Sequence, residues 1–212
     1  MELTPDDVDG YVEEYRSEEP LYSVEQEGIE TLPDAFRAGE YGPRDAEWVV
    51  RWYFRRYLGE YPHDERAAIE ERFADVEMGR VKAAIAEAVE AIDGANDDPD
   101  AGSSDAEIGS SDGYAEALAV LTELPAVDVR VGSAFLTFLD PDTYLPIGDR
   151  EWEVMSELST IDDSYPPAPT VADYGRLLEN VREIEERHGI DSRTAYMAIW
   201  RLWKEDDSSI DR

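Results

Sequence analysis

The amino-acid sequence predicts an all-α protein of eight to ten helices in two lobes, interrupted by one acidic loop. Three observations carry this. Apolar side chains recur at i, i+3, i+4 and i+7 along most of the 212 residues. Alternating runs of β-branched and aromatic residues, which half-buried strands need, are nearly absent. Helix start and stop residues, among them Thr4-Pro5, Gly42-Pro43 and Gly189, sit at the ends of the periodic stretches.

Taken in order, Thr4 is placed to cap a first helix with Pro5 at its first position, and Val8, Tyr11, Val12 and Tyr15 share one face. Ile29, Leu32 and Phe36 form a second apolar set that ends near Gly39. The strongest helix follows Gly42-Pro43 and runs from about Arg44 to Leu58. Glu65 to Val76 and the alanine-rich stretch Gly79 to Ile92 read as two more helices, because alanine and straight-chain charged residues favour that state. Residues 1–92 thus form an N-terminal helical region.

Residues 93–112, DGANDDPDAGSSDAEIGSSD, carry Ile108 as their one large apolar side chain, so they cannot bury enough surface to offset the entropy of ordering. A linker or disordered loop is expected there. Residues 113–212 resume the helical pattern and are expected to pack with 1–92 as one unit. Short helices are expected over Tyr114 to Leu124, Val131 to Leu139 and Asp149 to about Leu158, the second stopped by Asp140-Pro141-Asp142. The proline-rich SYPPAPT segment forbids regular pairing. Tyr174, Leu177, Leu178, Val181 and Ile184 then stripe a helix closed by Gly189, and Ser192 can cap a last one carrying Tyr196, Ile199, Trp200 and Trp203.

Composition narrows the chemistry. Fifty-two Asp and Glu against nineteen Lys and Arg give a formal charge of -33, spread over the whole chain, and only Lys82 and Lys204 are lysines. Distributed carboxylates with few lysines point to a salt-rich cytoplasm, where a Debye length of roughly 3 Å at 1 M leaves only contacting charges to matter. Net charge therefore does not exclude nucleic acid as a partner. There are no cysteines, which removes disulfides, thiolate nucleophiles and Cys-ligated metals, and the two histidines, His63 and His188, sit at expected helix ends. No metal or cofactor is expected. The amino terminus has neither a basic region nor an apolar run, and no stretch reaches the ~20 apolar residues of a membrane span, so a cytoplasmic location is expected.

One stretch carries more specific information. Leu124 to Trp152 reads LPAVDVRVGSAFLTFLDPDTYLPIGDREW. It resembles the signature of the helix-hairpin-helix (HhH-GPD) DNA glycosylases, in particular a divergent haloarchaeal branch: a Leu-Pro-Gly-Val-Gly hairpin, a helix of small residues, a Leu-Asp-Pro turn, and an Asp at the start of the next helix. The resemblance implies a two-lobed helical fold of glycosylase type, double-stranded DNA as partner in high salt, and Asp149 as the catalytic residue. That carboxylate would stabilise positive charge on the sugar as the N-glycosidic bond lengthens. It would act on a base flipped out of the duplex. The hairpin, with Ala126, Asp128 and Arg130, would anchor DNA. Both hairpin glycines are replaced, by Ala126 and Asp128: alanine resists positive φ and a carboxylate repels phosphate. The lyase lysine of bifunctional members has no counterpart in Val129-Arg130-Val131, and the iron-sulfur cluster of some relatives has no cysteines to hold it. An enzyme of this kind would be a monofunctional hydrolase. The other reading is a non-catalytic DNA- or protein-binding relic of the fold, and Asp149 read on its own is also a good helix N-cap accepting from Glu151 or Trp152.

The helix EWVVRWYFRRYL places Trp48, Arg51, Trp52 and Arg55 on one face. Such a strip could contact phosphates through Arg51, Arg55 and Arg56 and stack a base on Trp48 or Trp52, with Tyr144 as a further pocket candidate. Equally, it could be a buried central helix whose arginines pair with surrounding carboxylates.

Overall fold

A computed structural model describes residues 3–96, 113–158, 161 and 163–210. Ten helices run in the order α1 (Pro5–Glu18), α2 (Tyr22–Ala38), α3 (Pro43–Arg55), α4 (His63–Ala74), α5 (Met78–Asn96), α6 (Gly113–Leu121), α7 (Val129–Leu139), α8 (Asp149–Leu158), α9 (Val171–His188) and α10 (Ser192–Ile210). No strand occurs among the described residues, so the protein is all-α. None of these helices is long and apolar enough to cross a membrane.

Local chemistry sets the helix ends. Thr4 and Asp7 form a reciprocal capping box at α1, with Pro5 at the first position, and Thr170 and Asp173 do the same for α9. Gly39 after α2 and Gly189 after α9 take left-handed φ of 67° and 66°, the conformation that lets the last carbonyls find donors. At α10 the cap is Asp191 rather than the expected Ser192: Asp191 accepts from the amide of Thr194 at 2.7 Å, while the Ser192 hydroxyl donates to Glu185. Helix α5 extends past Ile92 to Asn96, so the expected linker does not begin at 93; Asp93 stays helical and pairs with Arg37 of α2 at 3.2 Å. The remainder of that loop call, 97–112, lies outside the described residues.

Helix α7 is the centre of the packing. Every side chain in it except Arg130 is buried, and it touches α2, α3, α6 and α9. Gly132 lets α6 approach, since a Cβ there would run into Leu118. Helices α1 and α10 pack along each other, and Arg201 ties them by reaching Glu14, Glu18 and Glu19 at 2.9, 2.9 and 3.0 Å. Buried side chains from all ten of these helices join in one hydrophobic core.

Glu25 and Glu151 are the most deeply buried carboxylates among the described residues. Glu25 of α2 is 1% exposed and accepts from the Tyr15 hydroxyl at 3.0 Å and the Trp52 indole at 2.9 Å while pairing with Arg193. A charged residue on the core face interrupts the apolar pattern. The apolar set Ile29, Leu32 and Phe36 therefore marks only the later part of α2, which begins at Tyr22. Glu151 of α8 is fully buried and pairs with Arg56, itself 2% exposed, through contacts of 2.5 and 3.1 Å. The Arg56 guanidinium also lies 4.7, 4.9 and 5.8 Å from the ring centres of Tyr53, Tyr57 and Trp200. Burial opposes its charge, but Glu151 and the surrounding tyrosines more than compensate and hold its pKa well above the ordinary arginine value.

Removing one member of such a pair leaves an uncompensated charge in the core, which costs about 3–5 kcal/mol. Arg56→Met and Glu151→Gln are each expected to lose stability of that order in urea titrations at molar KCl, and the double variant is expected to be more stable than the less stable single. A double variant as unstable as the sum of the singles would refute a direct coupling between these two groups.

Candidate active site

The chain around Asp149 is shaped by the Arg56–Glu151 pair beneath it. Gly148 precedes α8, and a Cβ there would fall under 3.0 Å from Arg56, Glu151 and Tyr57, so only glycine fits. Its carbonyl accepts the amide of Trp152 at 3.1 Å. Asp149 is therefore the first helical residue and not the cap over Glu151 or Trp152 that its sequence context suggests. Its Oδ1 instead accepts the Tyr57 hydroxyl at 2.9 Å and the Arg150 amide at 3.1 Å. The residue is exposed and opens into a cleft of about 350 Å³.

That cleft is walled by aromatic rings. Tyr53, Tyr57, Tyr61, Tyr165 and Trp203 line it together with Arg130, Arg150, Glu60 and Glu153. Tyr57 and Tyr61 stand 5.7 Å apart between ring centres. Arg150 is packed beneath Trp203, its guanidinium 3.9 Å from the ring centre, and pairs with Glu60 at the rim. The Trp203 indole donates to Glu153 at 3.1 Å. Burial raises the hydroxyl pKa of Tyr57 and Tyr165, so both stay protonated hydrogen-bond donors at neutral pH. The Tyr165 hydroxyl is buried without a hydrogen-bond partner, an atom that a bound ligand would satisfy.

The turn between α6 and α7 is closed without glycine. Ala126 adopts φ 69°, the left-handed conformation that alanine resists, and the Val127 amide closes the turn on the Leu124 carbonyl at 3.1 Å. Asp128 caps α7 by accepting the Val131 amide at 3.1 Å, which fills the start of this helix with the protein's own carboxylate. Arg130 does not project away to meet a phosphate. Its Nε and Nη2 bind Asp128 Oδ2 at 2.8 and 2.5 Å, and the guanidinium lines the same cleft as Asp149.

The aromatic-arginine helix divides among three environments. Trp52 is 3% exposed, bonded to Glu25 and packed edge-on against Phe138, so it cannot stack on a base. Trp48 packs against Phe138 and over Gly28, outside the Asp149 cleft. Arg51 pairs with Glu47 at 2.6 Å and lies 3.8 Å from Glu70, while Arg55 is exposed on α3. Tyr144, 4% exposed, belongs to the core beside Tyr174 and is not in the cleft. The tyrosines that do line it, Tyr53, Tyr57, Tyr61 and Tyr165, escaped sequence reasoning. Tyr53 and Tyr57 lie beside the Trp48–Arg55 face and not on it, and Tyr165 sits in an irregular segment with no periodicity to mark it. Neither lysine is at the site: Lys82 donates to the Gly39 carbonyl and Lys204 to Glu19. No cluster of three or more His, Asp or Glu suited to a metal occurs among the described residues.

Comparison of the chain with protein families, with curated proteins and with solved structures finds no match.

Replacing Ala126 by glycine removes the left-handed strain and is expected to stabilise the protein by about 1 kcal/mol, less the entropy glycine loses on folding, as read from the urea midpoint. A loss of stability would show that the turn is not strained. Alkaline titration tests the buried hydroxyls. Tyr41, pushed up to about 12 by burial, and Tyr53, Tyr57, Tyr165 and Tyr174, likewise raised by burial, stay protonated in the folded state above the ordinary value of 10.0. Above that value the unfolded chain binds fewer protons than the folded one, so stability is fully present below it and falls as pH rises towards and through the folded values. The urea midpoint is expected to drop steadily over this window; a flat profile would refute the burial of these hydroxyls.

Proposed function

We propose that this protein is a DNA glycosylase-like, monofunctional base-excising hydrolase working through Asp149. The observation that carries the reading is the exposed Asp149 carboxylate at the head of α8, held by Tyr57 and opening into an aromatic-walled cleft. A relic that had lost its chemistry would be expected to pack this position over. The motif from Leu124 to Trp152 supports the same assignment and, with it, a helix-hairpin-helix glycosylase fold.

The chemistry follows from the carboxylate's setting. As the C1′–N bond of a flipped nucleoside lengthens, positive charge grows on the sugar, and a fixed carboxylate beside it lowers the barrier without reorganising. Because Oδ1 already accepts two hydrogen bonds, Oδ2 is the oxygen free to face the sugar or orient water. Tyrosine rings offer faces for the extruded base. With both lysines engaged elsewhere, attack by an amine on the sugar has no agent here, so water is the nucleophile. The net charge of -33 fits a partner bound in molar salt, where screening confines electrostatics to contacting groups.

Base release from a panel of duplex DNAs carrying damaged, deaminated and mismatched bases, in molar KCl, tests the reading. Wild type is expected to release at least one base, and Asp149→Asn to lower that rate by a factor on the order of 10²–10³ while retaining DNA binding. Release that survives in Asp149→Asn, or none from any duplex, would refute it.

A further inference from the structure

We propose that Arg130 stabilises the departing base, and that the cleft consequently selects neutral bases bearing a ring carbonyl, which leave as anions, over cationic alkylated bases. This rests on the reading of Asp149 given above.

The cleft carries opposite charges along one aromatic wall. Asp149 takes the Tyr57 hydroxyl at 2.9 Å, whereas the positive charge of Arg130 lies near enough to Tyr61 to oppose the effect of burial on its hydroxyl; the two rings stand 5.7 Å apart and all four residues line the one cleft. Carboxylate and guanidinium thus occupy different places along the wall. Arg130 is also held rigidly. Asp128 grips Nε and Nη2 from one side, and Asp128 is in turn fixed by capping α7, which leaves Nη1 with no bond to that carboxylate. Burial opposes the charge, and the hydrogen bonds and charge of Asp128 more than reverse this, so Arg130 stays a cation. The other cleft arginine is committed elsewhere, paired with Glu60 and stacked on Trp203.

This arrangement matches the charge separation of N-glycoside heterolysis. The C1′–N bond breaks with its electron pair passing to the base nitrogen, and the water oxygen bonds C1′. One water proton goes to Asp149 and on to solvent, and the departed base takes one proton from solvent, so one water is consumed overall. Negative charge on a base such as uracil or hypoxanthine delocalises onto its carbonyl oxygen, where a guanidinium N–H is a strong donor. A 7-methylguanine or 3-methyladenine residue is cationic before it leaves and departs neutral, so it gains nothing from Arg130 and is repelled by it in the ground state.

The experiment compares wild type with Arg130→Gln on duplexes containing uracil, hypoxanthine, 7-methylguanine or 3-methyladenine, together with a series of 5-substituted uracils of graded leaving-group acidity. Thermal melting of both proteins serves as the folding control. Wild type is expected to release the neutral bases and to discriminate against the cationic ones. Arg130→Gln is expected to lose about 100-fold on the neutral bases, comparable to loss of an oxyanion donor. Its rates should also depend more steeply on leaving-group acidity than those of wild type, a change that simple misfolding does not produce. Release of cationic bases alone, or an unchanged acidity dependence in the variant, would overturn the assignment of Arg130 and leave that of Asp149 standing. No base release at all by wild type would overturn both.

Discussion

The buried Arg56–Glu151 pair is the constraint on which the site depends. Taking a guanidinium and a carboxylate out of water costs several kcal/mol for each ion, and only close contacts and further hydrogen bonds recover it. Here the carboxylate meets Arg56 with both oxygens, and the guanidinium is enclosed by Tyr53, Tyr57 and Trp200. The pair joins the end of α3 to the start of α8 and contacts α10 through Trp200. Its neighbours in sequence, Tyr57 on one side and Gly148 to Arg150 on the other, are thereby brought face to face. The Tyr57–Asp149 hydrogen bond and the aromatic wall of the cleft are consequences of that join.

Arginine plays a structural part throughout this acidic chain. Arg201 meets three carboxylates across the α1–α10 seam, Arg193 pairs with buried Glu25, and Arg150 is covered by Trp203 and paired with Glu60. A planar cation with several donors can satisfy one carboxylate while its face lies on an aromatic ring, which an ammonium does less well. The surplus of negative charge therefore falls on the exposed surface. The interior charges come in compensated pairs.

The turn before α7 couples a strained backbone to the cleft. Ala126 occupies the left-handed position where glycine is the easy residue, so the turn survives at the expense of local strain. Asp128 fills the start of α7 and secures Arg130. The carboxylate that caps this helix start thus also orients a cation into the cleft.

Most of the secondary structure was legible in the chain. Thr4-Pro5, Gly39, Thr170 and Gly189 mark their helix ends through capping chemistry that acts within a few residues, and the apolar stripes of α1 and α9 follow the helical period closely. Legibility failed where a polar residue serves the core: Glu25 hid the first half of α2, and Asp93 prolonged α5 beyond the point at which composition turns polar. For the site, the sequence singled out Asp149 and Arg130 but set them apart, one at a helix start and the other on a DNA-facing turn. It treated Trp48, Arg51, Trp52 and Arg55 as one face, although a helix surrounded by neighbours buries more than one stripe, so Trp52 entered the core and Arg55 the solvent. The sequence by itself determined what depends on near neighbours: helical class, caps, the absence of cysteine chemistry, and the charge. Only the tertiary structure decided which of its many tyrosines and arginines share a cleft, because that depends on a buried ion pair between residues 95 apart, whose energy exists only when ten helices have closed around it.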